Sequence, residues 1–168
     1  MPRLFFALWP DEEVRSVLAQ WAEKSREAAE GRMTQPRNLH MTLAFLGETD
    51  PYRIPELQQA AQGVRLQRCT LKLDRCKFWK HNRIVWAGGG APPQLAAAAA
   101  QLREALDKIG VRYDAKPLVP HVTLLRNARP AVLPAPTPID WVLRDFVLLA
   151  SERDEQGLVY RTVVGPFG

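Results

Sequence analysis

A four-residue pattern occurs twice in the chain, once in each half. The first copy is His40-Met41-Thr42-Leu43 and the second is His121-Val122-Thr123-Leu124. The chain has only three histidines in 168 residues, and two of them begin this H-x-T-L pattern. Chance rarely produces such a repeat in a chain with so few histidines, so we interpret the two copies as functional.

The residues around each copy predict a β-strand after a long helix and a loop. Strict alternation over residues 39–46 places His40 and Thr42 on one face and Leu43 and Phe45 on the other. The second copy predicts a similar strand that ends near residue 125. Helical periodicity predicts the preceding helices over residues 11–29, with Asp11 as N-cap, and from about residue 95 to Gly110.

The remaining pattern predicts the fold class. Further strands are expected at residues 3–9, 68–79, 83–88, 141–151 and 158–164, a short helix after Pro51, and a flexible connection at Gly88-Gly89-Gly90. Helices and strands without steady alternation predict an α+β fold. We expect one bilobal domain over residues 1–168, with two pseudo-symmetric lobes of antiparallel sheet, helices packed outside and an active-site cleft between them.

Composition limits the class of protein. Hydrophobic content of 46% with 24% charged residues is ordinary for a soluble domain, and no run of 18 apolar residues is present. The opening RLFFALWP predicts a buried strand rather than a signal peptide. We therefore expect a cytoplasmic monomer, with no membrane partner, in which Cys69 and Cys76 are reduced.

One segment is strongly basic. Residues 65–83 contain seven lysines and arginines but one acid, Asp74, and Phe78, Trp79 and His81 are interleaved with them. Two interpretations stay open: a surface that follows a phosphate backbone and stacks bases, or a solvated sheet face that protects an edge strand. For His81 itself, a solvated loop position is the favoured interpretation.

The paired motifs favour one chemistry. Two strands that each present His and Thr at i and i+2 would give a site with two imidazoles and two hydroxyls. One imidazole can act as general base and the other, protonated, as general acid, while the hydroxyls hold phosphate oxygens. This arrangement suits in-line cleavage of a phosphodiester without a metal or other cofactor, and no zinc-binding pattern is present.

The whole sequence resembles a known family. The paired H-x-T-L elements, the runs RLFFALWP, NLHMTLAFLG and PHVTLLR, and the closing Ser151 and Tyr160 are similar to the bacterial and archaeal RNA 2′,3′-cyclic phosphodiesterases. These belong to the two-histidine phosphoesterase superfamily and also carry the name 2′-5′ RNA ligases. The resemblance implies metal-independent hydrolysis of RNA 2′,3′-cyclic phosphate ends to a 2′-phosphate, with 2′-5′ RNA ligation as the possible reverse reaction.

The resemblance also implies residue roles. His40 and His121 would be the acid–base pair, which we order as His121 the base and His40 the acid, although pseudo-symmetry leaves this order open. Thr42 and Thr123 would bind phosphate.

The positions five residues after each histidine are harder to place. Arg126 matches the family's H-x-T-L-x-R and would contact phosphate or base, but alternation sends it to the wrong face unless the strand bulges or ends after Leu124. The equivalent Phe45 would stack a base, although alternation favours a core position.

Two alternatives remain. One is a phosphodiesterase for small cyclic phosphates such as ADP-ribose 1″,2″-cyclic phosphate, and the other is a non-catalytic nucleotide-binding module of the same fold.

Overall fold

The structure is a computed structural model that describes residues 1–168. The strands are β1 (Arg3–Leu8), β2 (Arg32–Met33), β3 (Met41–Glu48), β4 (Cys69–Leu73), β5 (Arg75–Trp79), β6 (Ile84–Gly88), β7 (His121–Arg126), β8 (Ile139–Leu143), β9 (Phe146–Asp154) and β10 (Gly157–Phe167). The helices are α1 (Glu12–Ala29), α2 (Ile54–Gln62) and α3 (Pro93–Lys108).

Eight strands form one antiparallel sheet. Its order is β10-β9-β1-β3-β7-β6-β5, with β2 paired to β7, while β4 and β8 form a separate two-stranded sheet. Every pairing is antiparallel. The predicted α+β class with antiparallel sheets is therefore confirmed.

The two motif strands meet at the centre of the large sheet. β3 and β7 share a single register pair, Met41 with Val122, so the two halves of the sheet are joined at only one point. α1 packs against β7, and α3 packs against β3. Each long helix thus supports the motif strand of the opposite half.

The first helix begins where the sequence predicts. The side chain of Asp11 accepts a hydrogen bond of 2.9 Å from the main-chain N–H of Val14, and Glu12 and Glu13 lie in the first turn. Leu18 and Trp21 lie on the buried face. This cap and periodicity are local features, which explains why the sequence alone predicts the helix correctly.

Two strands that were predicted as single elements are each two separate strands in the structure. The strand expected over 68–79 breaks at Asp74 into β4 and β5, and the one expected over 141–151 breaks at Arg144-Asp145. Both breaks have one cause: β4 and β8 pair with each other, so the chain changes sheets at each break. Sheet membership is a tertiary property that local periodicity does not contain.

The expected flexible connection at the three glycines is also wrong. Gly88 is the last residue of β6, and Gly89 is buried. A Cβ on Gly88 would overlap the ring of Trp86 and lie 2.6 Å from the main-chain oxygen of Pro120. A Cβ on Gly89 would overlap the main-chain oxygen of Lys72. These glycines permit close packing rather than flexibility.

Candidate active site

A single open cleft lies over the joined motif strands. Its volume is about 1070 Å³. It is lined by all six residues proposed from the sequence: His40, Thr42, Phe45, His121, Thr123 and Arg126. The structure therefore brings together residues from both halves of the chain.

The two histidines are oriented in the same way. Nδ1 of His40 lies 2.7 Å from the main-chain oxygen of Asn38, and Nδ1 of His121 lies 2.7 Å from that of Val119. A carbonyl oxygen only accepts hydrogen bonds, so Nδ1 carries the proton in both rings. Nε2 of each ring is left as the nitrogen that gains or loses a proton.

The first histidine also contacts its own threonine. Nε2 of His40 lies 3.1 Å from the hydroxyl oxygen of Thr42. Because Nδ1 already carries the proton of the neutral ring, the hydroxyl donates to Nε2. His and Thr at i and i+2 are thus on one face, as alternation predicts.

Burial lowers the pKa of both histidines. The pKa of His40 falls to about 4, chiefly through desolvation; the bond to Asn38 raises it, and the positive charges of His121 and Arg126 lower it further. The pKa of His121 is lowered by burial and by Arg126, against the raising effect of its main-chain hydrogen bond. Both rings are therefore neutral near pH 7 before an anion enters the cleft.

The first motif contains a β-bulge. Ala7 of β1 pairs with Thr42, but Phe6, the preceding residue of β1, pairs with Ala44. Leu43 is therefore the extra residue of the bulge, and both Leu43 and Ala44 are buried. Alternation resumes after the bulge with the opposite phase.

The second motif contains a bulge at the same place. Trp86 of β6 pairs with Thr123, and Val85 pairs with Leu125, which leaves Leu124 as the extra residue. Leu124 and Leu125 are both fully buried. The leucine of each H-x-T-L copy is thus the residue at which the strand changes phase.

The bulges decide where the fifth residue after each histidine points. Phe45 pairs with Phe5, lines the cleft and is 37% exposed, so the core position expected from alternation is wrong. Arg126 lines the cleft as well, and the bulge that its role requires is present. One inserted residue returns both side chains to the face of the histidines.

Aromatic rings flank each histidine. The ring of His40 lies 5.1 Å from that of Phe5 and 4.9 Å from that of Tyr160, measured between centroids. The ring of His121 lies 4.8 Å from that of Trp79 and 6.2 Å from that of Trp86. The sequence did not assign Phe5 or Trp86 to the site, because only strand register shows that they neighbour the motif strands.

Asn38 is another site residue that the sequence missed. It is buried, and its side chain donates to the main-chain oxygen of Leu158 over 2.9 Å and accepts from the main-chain N–H of Tyr160 over 3.2 Å. Asn38 therefore links the His40 loop to β10. Its place two residues before the motif histidine is the only signal that the sequence offered.

The rim of the cleft includes further residues noted in the sequence. Ser151 and Tyr160 line it, and so does His81, which is exposed in the turn between β5 and β6 as expected.

No group of three or more His, Cys, Asp or Glu side chains is arranged to hold a metal ion. No helix combines the length and apolar character needed to cross a membrane.

Comparisons with known proteins show which proteins the chain is similar to. Residues 8–86 match the family model described as LigT like Phosphoesterase. The chain is 36% identical to the RNA 2′,3′-cyclic phosphodiesterase of Escherichia coli, over 89% of this chain and 86% of that protein. It is 33% identical to the protein of the same name from Thermus thermophilus, over 98% and 89% of the two chains.

A solved structure shares the fold. The crystal structure of E. coli LigT complexed with 3′-AMP superposes with a TM-score of 0.85, at 34% identity over 99% of both chains.

Proposed function

The chain belongs to the LigT-like phosphoesterase family, and on that basis we propose that it hydrolyses the 2′,3′-cyclic phosphate at an RNA end to a 2′-phosphate. The observation that supports this most strongly is the matched pair of histidines, each held through Nδ1 by a main-chain oxygen, in one cleft between the two halves of the sheet. Such a pair supplies one proton acceptor and one proton donor to the same phosphorus atom.

The reaction needs a base, an acid and a phosphate-binding group. One Nε2 takes a proton from water as the water oxygen attacks phosphorus, and the other gives a proton to the 3′ oxygen as its bond to phosphorus breaks. When substrate binds, the Thr42 hydroxyl turns away from Nε2 of His40, and the hydroxyls of Thr42 and Thr123 donate to the non-bridging oxygens. The guanidinium of Arg126 balances the charge of these oxygens. No step requires a metal ion.

The electrostatics favour His40 as the base and His121 as the acid. The pKa of His40 is lowered to about 4, chiefly by burial, whereas the pKa of His121 is lowered less, so a proton that enters the pair with an anionic substrate resides on His121. His40, whose pKa is lowered to about 4, stays neutral and accepts the proton from water. This order reverses the one preferred from the sequence, where pseudo-symmetry left it open.

The central test is product analysis. Protein treated with EDTA is incubated with an oligoribonucleotide that ends in a 2′,3′-cyclic phosphate, and the products are compared with 2′- and 3′-phosphate standards by chromatography. We expect the 2′-phosphate. A 3′-phosphate, or loss of activity that one added metal restores, would contradict the proposal. His40→Ala and His121→Ala are each expected to lower the rate by about 10²–10⁴-fold.

A substrate with a sulfur substitution distinguishes the residue that acts as the acid from the one that acts as the base. A cyclic phosphate with sulfur in place of the 3′ oxygen releases a thiolate, which needs little protonation near neutral pH. His121→Ala is expected to recover most of its activity on this substrate, whereas His40→Ala is not. The opposite pattern would restore the order in which His121 is the base.

The same site can join RNA ends. We propose that, when both ends are concentrated, the 5′-hydroxyl of a second RNA replaces water as the nucleophile: its proton passes to the base, its oxygen bonds phosphorus, and the 3′ oxygen leaves with a proton from the acid, which gives a 2′-5′ linkage. We also propose a monomeric, single-domain protein of the reducing cytoplasm, where Cys69 and Cys76, both free in the structure, stay thiols. Size-exclusion chromatography with light scattering tests the monomer.

A further inference from the structure

The edge strand β5 has two different faces. Arg75 and Lys77 are exposed, whereas Cys76 and Phe78 are half-buried and pack against the main core. Side chains alternate along a strand, so Arg75, Lys77 and Trp79 share the face opposite the core. The part of the basic segment that lies in β5 therefore presents its cations on one defined face of the sheet.

Strand register places this face on the side of the active site. Lys77 pairs with Trp86, which pairs in turn with Thr123, and Arg75 pairs with Gly88, which pairs with His121. Directly paired residues of antiparallel strands project to the same side of a sheet. Arg75 and Lys77 thus stand on the side of His121, two strand spacings or about 10 Å away.

The ring of Trp79 supports this orientation independently. Its centroid lies 4.8 Å from that of His121 and 4.6 Å from that of Trp86, and Trp79 lines the cleft. The face that Trp79 shares with Arg75 and Lys77 is therefore continuous with the cleft. An aromatic ring next to two cations is the combination that binds single-stranded nucleic acid.

The charges of this face are largely unpaired. Lys77 forms no salt bridge, and Arg75 has only Asp74, at 3.5 Å, with both side chains about half exposed. An exposed ion pair of this kind is weak, so the guanidinium remains available to an anion. Two other cations of the basic segment differ in position: Lys72 belongs to β4 of the small sheet, and Arg68 precedes that strand.

We propose that Arg75 and Lys77 bind backbone phosphates of the nucleotides that precede the cyclic phosphate, with Trp79 between them and the catalytic pair. The proposal rests on the proposed function, since it assumes that the RNA 3′ end occupies the cleft. All remaining nucleotides of such a substrate lie on its 5′ side and must leave the cleft along one path. β5 offers such a path, because Arg75 and Lys77 continue the sheet face of His121 and Arg126 outward to the edge of the sheet.

The test compares two double variants with the same loss of charge. Arg75→Ala/Lys77→Ala removes the proposed contacts, and Arg68→Ala/Lys72→Ala removes two exposed cations of the same segment that lie in or next to β4 of the small sheet. Fluorescence anisotropy measures binding of a labelled oligoribonucleotide ending in a 2′-phosphate over a range of salt concentrations. A separate assay measures kcat/KM for a mononucleotide 2′,3′-cyclic phosphate.

For Arg75→Ala/Lys77→Ala we expect roughly tenfold weaker oligonucleotide binding at low salt, and a salt slope smaller by about 1.4, at about 0.7 for each lost contact with a single strand. Turnover of the mononucleotide and binding by Arg68→Ala/Lys72→Ala should match the wild type.

Three outcomes would overturn the proposal. The first is equal weakening of binding in both double variants. The second is a loss of kcat/KM on the mononucleotide equal to the loss of oligonucleotide binding. The third is an unchanged salt slope accompanied by aggregation of the Arg75→Ala/Lys77→Ala variant, which would leave the β5 cations only the role of protecting the sheet edge. If the wild-type protein hydrolyses neither this mononucleotide nor an oligoribonucleotide that ends in a 2′,3′-cyclic phosphate, the proposed function fails, and the binding measurements still decide the role of β5.

Discussion

Nδ1 of His40 lies 2.7 Å from the main-chain oxygen of Asn38, and the side chain of the same asparagine bonds two main-chain groups of β10. The orientation of the proposed base is thus linked to β10, the edge strand on the β3 side of the sheet. Tyr160, whose N–H bonds Asn38, also places its ring 4.9 Å from His40. The buried side chain of Asn38 therefore fixes both the orientation of the His40 ring and the position of Tyr160 beside it.

Asn38→Ala is expected to impair stability and catalysis together. The change leaves the N–H of Tyr160 without its partner and the oxygen of Leu158 with only its hydrogen bond from Arg37, which costs about 1–3 kcal/mol of unfolding free energy. We expect a matching fall in kcat, because Tyr160 no longer holds its place against His40. Urea denaturation and steady-state kinetics measure the two effects. Gln59→Ala, on the exposed face of α2, is the control; a wild-type kcat in Asn38→Ala would count against the link.

Arg126→Gln is expected to shift the pH profile. The positive charge of Arg126 lowers the pKa of both histidines, so its removal raises both values. The base acts only in its neutral form. With a higher pKa, the base becomes protonated at a higher pH as the solution is acidified. The acid limb of the kcat/KM profile should therefore move to higher pH. Arg126→Lys keeps the charge and should leave the limb in place.

The same variants test phosphate binding by Arg126. Loss of a charged hydrogen bond is expected to cost about 1.5–3 kcal/mol of transition-state stabilisation, or roughly 10–150-fold in kcat/KM at the pH optimum. Arg126→Lys should lie between the wild type and Arg126→Gln, since an ammonium lacks the two-pronged geometry. An unshifted acid limb in Arg126→Gln would show that its charge does not reach the histidines.

Gly88→Ala is expected to damage the second half of the site. The added Cβ would overlap the ring of Trp86, which packs on Trp79, and both tryptophans flank His121. Overpacking of this kind costs about 1–3 kcal/mol, and displacement of the rings should lower kcat as well. Thermal unfolding and kinetics measure both losses. Gly63→Ala is the matched control, because its Cβ would meet nothing closer than 3.7 Å and should be tolerated.

Phe45→Ala is expected to weaken substrate binding with little effect on stability. The ring is 37% exposed in the cleft, so its removal leaves no cavity in the core. Loss of a base-stacking contact costs about 1–3 kcal/mol, which appears as a higher KM for nucleotide substrates. Phe45→Trp should retain binding, and Phe45→Leu should lose most of it despite a similar apolar character. Equal KM values for Phe45→Leu and the wild type would assign the residue a packing role.

Local features explain what the sequence predicts correctly. The cap at Asp11, the helical periodicity and the alternation that joins His40 to Thr42 each depend on neighbours in sequence, and all three are present. The expected strand over 68–79 fails at Asp74, because pairing between distant segments decides which sheet a strand joins. The prediction for Gly88 is wrong for a similar reason, since its constraint is the ring of Trp86 packed over it in the folded sheet.

The sequence by itself determined the candidate residues of the site: two histidines and two threonines at fixed spacing, which are the types of side chain that the proposed two-histidine chemistry needs. Only the tertiary structure decided which other residues join them. The bulges at Leu43 and Leu124 exist because the neighbouring strands β1 and β6 pair with one residue fewer, and no local pattern encodes that mismatch. The extra residue before Phe45 in β3 and the one before Arg126 in β7 therefore place each of these side chains in the cleft rather than in the core.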